Sequence, residues 1–367
     1  MKVLISGGGT GGHIYPAIAI ANKIREEIKG VQIVFVGTKK GLESELVPKA
    51  GYKLETITVS GFKRKLSIDT FASIKDLFIG IKDAAKIIKK FKPDLVIGTG
   101  GYVCGPVVFI ASLLNIKTVI HEQNVIPGMT NKILGKFVNK ILISFEESKQ
   151  YFSNKKSVVT GNPVRKDFID VDKKVCRRAL GIDPDAFVVM AFGGSRGAKK
   201  INETMAKVVR SFNGRKNMRL ILVTGSKHYE AVLKMINKKS FKMQENIKIM
   251  EYVHDMSKYM GASDLVICRA GAITLAEVTA MGLPTILIPS PYVANNHQEF
   301  NAKVLEKNGA SILLTENELT DQKIIRLLNL FLSDKKSLKE MKVKSKELSK
   351  PNATDMIYTN ILNLIKS

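Results

Sequence analysis

The sequence predicts an α/β chain of two doubly wound, Rossmann-like parallel-sheet domains, and three features carry that prediction. Short apolar runs end in glycine-rich turns, first at Lys2–Ser6 into Gly7–Gly12 and again at Asp94–Gly98 into Thr99–Tyr102. The same grammar restarts at Ala186–Phe192, which runs into Gly193-Gly-Ser-Arg-Gly197. A chain of 367 residues is also too long for one ordinary core, so two domains are the default.

Each element follows in order. Lys2–Ser6 is a strand, and the glycine turn after it opens a helix over Pro16–Lys29. Val31–Val36 is the next strand, followed by a helix over Gly41–Ala50. Asp94–Gly98 and Thr118–Asn124 are further strands whose last residues turn polar. In such sheets ligands bind beyond the carboxyl ends of the strands, where Gly7–His13, Thr99–Tyr102 and His121–Asn124 fall. The charged stretch Lys166–Arg178 lacks a strong apolar period and is expected to be the linker. Beyond it, Ala186–Phe192 is a strand and Ala198–Phe212 a helix, with short buried strands at Arg219–Val223, Asp264–Cys268 and Thr285–Ile288. From Pro351 a last helix carries Ile357, Ile361, Leu362 and Ile365, an amphipathic face that needs a surface to bury against.

Composition excludes several classes. Hydrophobic residues make up 45% and charged residues 25%, which suits a packed globular enzyme and not a disordered chain. Cys104, Cys176 and Cys268 are odd in number and widely spaced, so a reducing, cytosolic setting is expected and no metal-ligand pattern is present. The chain opens on a strand, with no charged leader and long apolar segment ahead of it. The longest apolar run, Val107–Leu114, is far short of the roughly 20 residues of a membrane span. The net charge of +25 admits nucleic acid, an acidic lipid surface or a phosphorylated substrate, and also surface lysines without a partner. No aromatic-interleaved basic stripe or nucleic-acid motif is found, so nucleic acid is not expected as a partner.

The chemistry concentrates in a few stretches. Gly7-x-Gly9-x-x-Gly12 satisfies the dinucleotide spacing, yet the second strand ends at Val36-Gly-Thr38, where a ribose-binding acid is expected. A tight strand–helix turn with no ligand is the alternative, but six residues of the turn are glycine or threonine, more than simple packing demands. A helix N-terminus disfavours imidazolium, so His13 is a candidate proton acceptor, although a histidine bracing the turn fits the same residues. In the second half, Cys268-Arg-Ala-Gly-Ala-Ile-Thr-Leu-Ala-Glu277 places a turn and a helix N-terminus where a diphosphate could bind. Glu277 could accept ribose hydroxyls there, and Ser195 adds donors on a neighbouring turn. Asp170-Val-Asp172 and Asp183-Pro-Asp185 are expected in caps and turns, so no metal is predicted. Phe62–Lys92 is a basic amphipathic helix candidate, with Phe71, Ile74, Phe78, Ile81, Ala85 and Ile88 on one face and Lys75, Lys82, Lys86 and Lys89 on another. It suits either a core-facing helix or docking on anionic lipid.

Six motifs appear in one order: Gly8-Gly-Thr-Gly-Gly-His-Ile-Tyr-Pro16, Gly98-Thr-Gly-Gly-Tyr102, His121-Glu-Gln-Asn124, Gly161-Asn-Pro-Val-Arg165, Gly193-Gly-Ser-Arg-Gly197 and Arg269–Glu277. That series closely resembles the MurG family of bacterial cell-wall glycosyltransferases, family 28, over nearly the whole chain. The resemblance implies a GT-B fold with a cleft between the two domains. It divides the chain into an acceptor- and membrane-binding domain over 1–163, a donor domain over 164–340, and C-terminal helices over 341–367 that return to the first domain. It implies transfer of N-acetylglucosamine from UDP-GlcNAc to undecaprenyl-pyrophosphoryl-MurNAc-pentapeptide (lipid I), giving lipid II, with inversion and without a metal or cofactor. Carried over by motif, the donor contacts are Thr10, Gly11, Gly12, Asn124, Arg165, Ser195, Val253, Arg269, Ala272, Ile273, Thr274, Leu275, Ala276, Glu277 and Gln298. Arg165 or Arg269 is expected to help neutralise the diphosphate. Gly8, Gly9, Gly101 and Tyr102 face the acceptor, and His13 is the catalytic candidate. Peripheral attachment to an anionic membrane at its cytoplasmic face is also implied, as are contacts with other cell-wall and division proteins. The alternative is another enzyme of the same architecture, a diacylglycerol glycosyltransferase or a UDP-GlcNAc 2-epimerase.

Overall fold

The computed structural model describes residues 1–61, 68–237 and 241–366, the side chains of 68–72 excepted. It forms two compact units, Met1–Pro163 with Lys350–Ser367, and Val164–Ser349. In the first, β1 (Lys2–Ser6), α1 (Gly11–Glu27), β2 (Gln32–Gly37), α2 (Glu43–Lys49), β3 (Lys53–Thr56) and α3 (Ile68–Phe91) come first. Then follow β4 (Leu95–Gly98), α4 (Cys104–Leu113), β5 (Lys117–Glu122), α5 (Met129–Leu134), β6 (Lys140–Ile143) and β7 (Ser157–Val159). All strands are parallel, in the order β3-β2-β1-β4-β5-β6-β7.

Side chains alternate across each strand, so one strand feeds two cores. From β1, Val3 and Ile5 pack with Ile14, Ile20 and Ile24 of α1, whereas Leu4 packs with Val107 and Ala111 of α4. The last helix of the chain, α14 (Ala353–Lys366), buries Ile357 and Ile361 in the α1 layer. Lys23 of α1 meets Asp355 of α14 at 2.6 Å.

The second unit holds α6 (Lys173–Ala179), β8 (Phe187–Phe192), α7 (Lys199–Phe212), β9 (Met218–Val223), α8 (Tyr229–Ile236), β10 (Ile247–Met250) and α9 (Met256–Ala262). It continues with β11 (Leu265–Cys268), α10 (Ala272–Met281), β12 (Thr285–Leu287), α11 (His297–Lys307), β13 (Ser311–Leu313), α12 (Asp321–Ser333) and α13 (Lys335–Glu347). Its parallel sheet runs β10-β9-β8-β11-β12-β13. Since α13 packs on α10 and α12, residues 341–349 stay with this unit.

Four expectations are corrected. The first helix begins at Gly11 and not at Pro16, so Pro16 lies inside it and His13 in its first turn. Proline is common at the first helical position, and that preference misplaced the start. The second helix is shorter than Gly41–Ala50, running over Glu43–Lys49. The stretch Lys166–Arg178 is not a bare linker: Lys166–Phe168 forms a 3-10 turn with Phe168 fully buried, and Asp172 caps α6. On α3 the buried line runs through Gly80, Ala84 and Ile88, leaving Ile74 40% and Phe78 62% exposed. A Cβ on Gly80 would stand 2.7 Å from the Thr58 carbonyl oxygen, so the helix lies close along its small residues and turns the larger ones outward. The Phe62–Leu66 loop and the Phe71 side chain lie outside the described residues.

Candidate active site

Each sheet reverses its strand order once, at β1/β4 in the first unit and at β8/β11 in the second. Such switch points are where open α/β sheets bind ligands, and both pairs of glycine turns fall there.

In the first unit Ser6 pairs with Gly98, which sets Gly7 beside Thr99. The two turns interlock. The Gly8 N–H donates to Gly100 O at 3.3 Å, and the Thr99 hydroxyl donates to His13 O at 2.8 Å. A Cβ on Gly101 would lie 2.3 Å from Gly8 O, and its φ of +86° is one that only glycine adopts without strain. The Tyr102 ring lies against Gly9. Thr10 is the extended N-cap of α1, and Gly11 and Gly12 are the first helical residues.

His13 is half-buried, with Nδ1 3.0 Å from Gly8 O and 3.4 Å from Thr10 Oγ1. A carbonyl oxygen only accepts, so Nδ1 carries a proton, and in the neutral ring Nε2 is the nitrogen with the lone pair. That ring face packs where a Cβ on Gly100 would stand, 2.8 Å from Cδ2.

Asn124 is partly buried, and its backbone and side-chain nitrogens donate to Glu122 Oε1 at 3.0 and 3.2 Å. His121 has a different role. It is fully buried, donates from Nε2 to Gly161 O at 3.0 Å and accepts from Gln123 Nε2 at Nδ1. Burial pushes its pKa down to about 4, which keeps it neutral and structural.

In the second unit Cys268 pairs with Phe192, so Gly193 adjoins Arg269. Ser195 is exposed on the turn ahead of α7. Helix α10 opens at Ala272 behind Gly271, so Ala272, Ile273 and Thr274 form its first turn and Leu275, Ala276 and Glu277 its second. The N-cap residues of α1, α7 and α10 (Thr10, Ala198 and Gly271) make no side-chain cap bond of their own, whereas Asp172, Asp255, Thr320 and Asp334 cap α6, α9, α12 and α13. Helix N-termini beside a switch point carry the positive end of the helix dipole, which favours an anion.

The Glu277 side chain is 15% exposed, and Arg165 Nε lies 3.8 Å from its Oε1. Burial pushes the carboxyl up to about 7, and the Arg165 charge draws it partly back. Arg165 stacks 4.6 Å over Phe168 with half its side chain exposed, so it can turn toward a second anion. Val253 is buried in the loop after β10. Gln298 is the second residue of α11, which follows Asn295 and Asn296, both left-handed, and its Oε1 accepts from Ser290 N at 2.9 Å.

Arg269 needs correction. Its guanidinium donates to the Ile288 and Pro289 carbonyls and pairs with Glu316, so its charge is already neutralised and it acts as a brace of the turn. The Asp-x-Asp pairs are local: Asp172 accepts from Lys174 N and Val175 N, and Asp183 from Asp185 N. Sequence reasoning missed Glu43 and Glu316. Nothing marks either in the chain, because their partners lie far off in sequence or across a turn.

The exposed apolar side chains of the first unit include Ile74 and Phe78 on α3, Leu113 and Leu114 at the end of α4, and Met129, Ile133 and Phe137 on and after α5. Helix α3 packs on α4 and α4 on α5, and Lys75, Lys82, Lys132 and Lys136 stand exposed among them. Among the described residues no helix is long and apolar enough to cross a membrane.

Residues 3–143 match the model of the glycosyltransferase family 28 N-terminal domain, and residues 188–357 that of the family 28 C-terminal domain. This chain belongs to glycosyltransferase family 28. A relative from Thermoanaerobacter sp. (strain X514) is 52% identical over 100% of both chains. It is named UDP-N-acetylglucosamine–N-acetylmuramyl-(pentapeptide) pyrophosphoryl-undecaprenol N-acetylglucosamine transferase. The crystal structure of Acinetobacter baumannii MurG matches with a TM-score of 0.78 at 28% identity, covering 99% of each chain. A UDP-GlcNAc 2-epimerase from Neisseria meningitidis reaches a TM-score of 0.68 at 14% identity, covering 99% of this chain and 100% of its own, a likeness of fold alone.

Proposed function

We propose that this family 28 chain transfers N-acetylglucosamine from UDP-GlcNAc to the MurNAc 4-hydroxyl of lipid I, forming lipid II. The observation that carries the reading is full-length 52% identity to a transferase of that name. The epimerase alternative has only a shared fold behind it, at 14% identity.

In this mechanism His13 Nε2 takes the proton of the MurNAc 4-hydroxyl as that oxygen attacks the anomeric carbon of the donor sugar. The bond from that carbon to the diphosphate oxygen breaks, UDP leaves with the electron pair, and the configuration inverts. The Nδ1–H bond to Gly8 O supports the base role, because in the neutral ring it makes Nε2 the accepting nitrogen. Thr10, Gly11 and Gly12 flank the base, and Gly8, Gly9, Gly101 and Tyr102 shape the acceptor side. On the second unit, the α10 N-terminus and Arg165 meet the developing diphosphate charge, Ser195 adds a donor, and Glu277 accepts the ribose hydroxyls. The reaction is proposed as metal-independent, since these cationic and dipolar groups supply the counter-charge.

Peripheral attachment to an anionic membrane belongs to the same proposal. Apolar side chains interspersed with lysines on α3 and α5 support it, since each basic residue near such a surface adds about 1 kcal/mol. The test supplies radiolabelled UDP-GlcNAc with lipid I or with diacylglycerol, chelator present. Label transferred to lipid I is expected; transfer to diacylglycerol alone, or UDP-GlcNAc epimerised without transfer, overturns the assignment.

A further inference from the structure

Glu43, the first residue of α2, is fully buried, and among the described residues its hydrogen-bond partners are dipoles alone. Its Oε1 accepts from Thr38 N at 3.0 Å and Thr38 Oγ1 at 2.7 Å, and its Oε2 accepts from Gly9 N at 3.0 Å. Both oxygens act as acceptors, the pattern of a carboxylate. Three glycines make room for it. A Cβ on Gly8, Gly37 or Gly41 would come within 2.8, 2.5 or 2.2 Å of the Glu43 side chain. A buried carboxylate is costly when, as among the described residues here, no cation pairs with it, and such a group calls for a reason.

The reason lies one peptide away. Gly9 N–H and Gly8 C=O belong to the same planar amide. Glu43 holds its N–H end at 3.0 Å, and His13 Nδ1 lies 3.0 Å from its carbonyl end. Negative charge at the N–H end polarises the amide, so its carbonyl becomes a stronger acceptor for the histidine proton. We infer that Glu43 is a positioning residue that orients and polarises His13 through the Gly8–Gly9 peptide. Carboxylate, amide and imidazole form one chain of hydrogen bonds: Glu43 fixes the amide, the amide fixes the Nδ1–H tautomer, and Nε2 is left to accept. When Nε2 takes a proton, the imidazolium gives its Nδ1–H to a carbonyl already made more negative.

This inference rests on His13 as the base, so the two must fail separately. Long-range proton–nitrogen NMR of full-length protein labelled with 15N-histidine reads the His13 tautomer without any turnover. Wild type is expected to show the Nδ1–H form, and a dominant Nε2–H form overturns the relay whatever the kinetics. In Glu43→Gln the charge is lost and one of the two oxygens becomes an amide nitrogen, which cannot accept from Gly9 N or Thr38 N, whichever it faces. The Nδ1–H resonance should then shift and the tautomers mix. The turnover number kcat should fall about 10- to 100-fold, in the range seen for groups that orient a working side chain, while KM for UDP-GlcNAc holds. Glu43→Asp, which keeps the charge, should recover part of the loss, whereas a purely structural role would move KM and melting together. Should Glu43→Gln fail to fold, the wild-type tautomer still decides. If His13→Ala abolishes transfer while Glu43→Gln leaves kcat and tautomer unchanged, the base stands and the relay falls. If His13→Ala keeps normal turnover, the base assignment falls instead, and the catalytic part of the relay with it.

Discussion

Arg165 Nε and Glu277 Oε1 face each other at 3.8 Å, and the arginine's charge acts on a carboxyl that burial has lifted to about 7. Both residues lie in the second unit, the one proposed to bind the donor. A ribose hydroxyl bonds a carboxylate better than a carboxylic acid, so the proposed UDP-GlcNAc affinity should rise about tenfold from pH 6 to pH 8. Glu277→Gln should weaken binding and flatten that dependence, as calorimetric titration at the two pH values would read. Stability runs the other way. The folded value lies above the unfolded 4.5, so the native state holds the extra proton between those limits. Its contribution is present below pH 4.5 and lost as pH rises through 7, by about 1–3 kcal/mol, and urea unfolding of the variant should show less of this loss.

His121 gives the opposite sign. Its folded value of about 4 lies under the usual 6.5, because the buried ring resists charging. Its contribution is present above pH 6.5 and disappears as pH falls toward 4, an effect of about 3 kcal/mol. Denaturant unfolding followed from pH 7 to pH 4 should show a loss of that order, and His121→Asn should lessen it. An equal loss in the variant would trace the acid sensitivity to other groups.

His13→Ala removes the proposed base and leaves the α10 turn untouched. Transfer should slow about 10²–10⁴-fold with UDP-GlcNAc affinity unaltered. Single-turnover kinetics beside donor titration separates the two effects. Near-normal turnover would leave the histidine as a brace of its turn.

Phe78 is 62% exposed on α3, so Phe78→Glu should not disturb folding. It would set a negative charge on the lysine-flanked face and remove about 1.5–3 kcal/mol of apolar contact with lipid. Sedimentation with anionic vesicles should fall at least about tenfold, and added salt should weaken wild-type binding. Retained binding by the variant would move the docking surface off α3.

Much of this was legible in the chain. Lys2–Ser6 and Ala186–Phe192 announced their strands because a parallel strand buried on both faces must be apolar throughout. Gly7–Gly12 and Arg269–Glu277 announced their turns because close backbone approach demands small residues there. The face of α3 was misjudged, since spacing alone cannot say that Gly80 lets the helix lie close against Thr58 O. Arg269 looked available until Glu316, 47 residues away, proved to be its partner.

The sequence by itself determined the two Rossmann-like halves, the glycine turns and the identity of the candidate base, for periodicity and local backbone demands are written in consecutive residues. Only the tertiary structure decided which nitrogen of His13 is left to accept, how Glu277 is tuned and why Glu43 is buried. Those depend on distances between groups remote along the chain, and on the water that packing removes from around them.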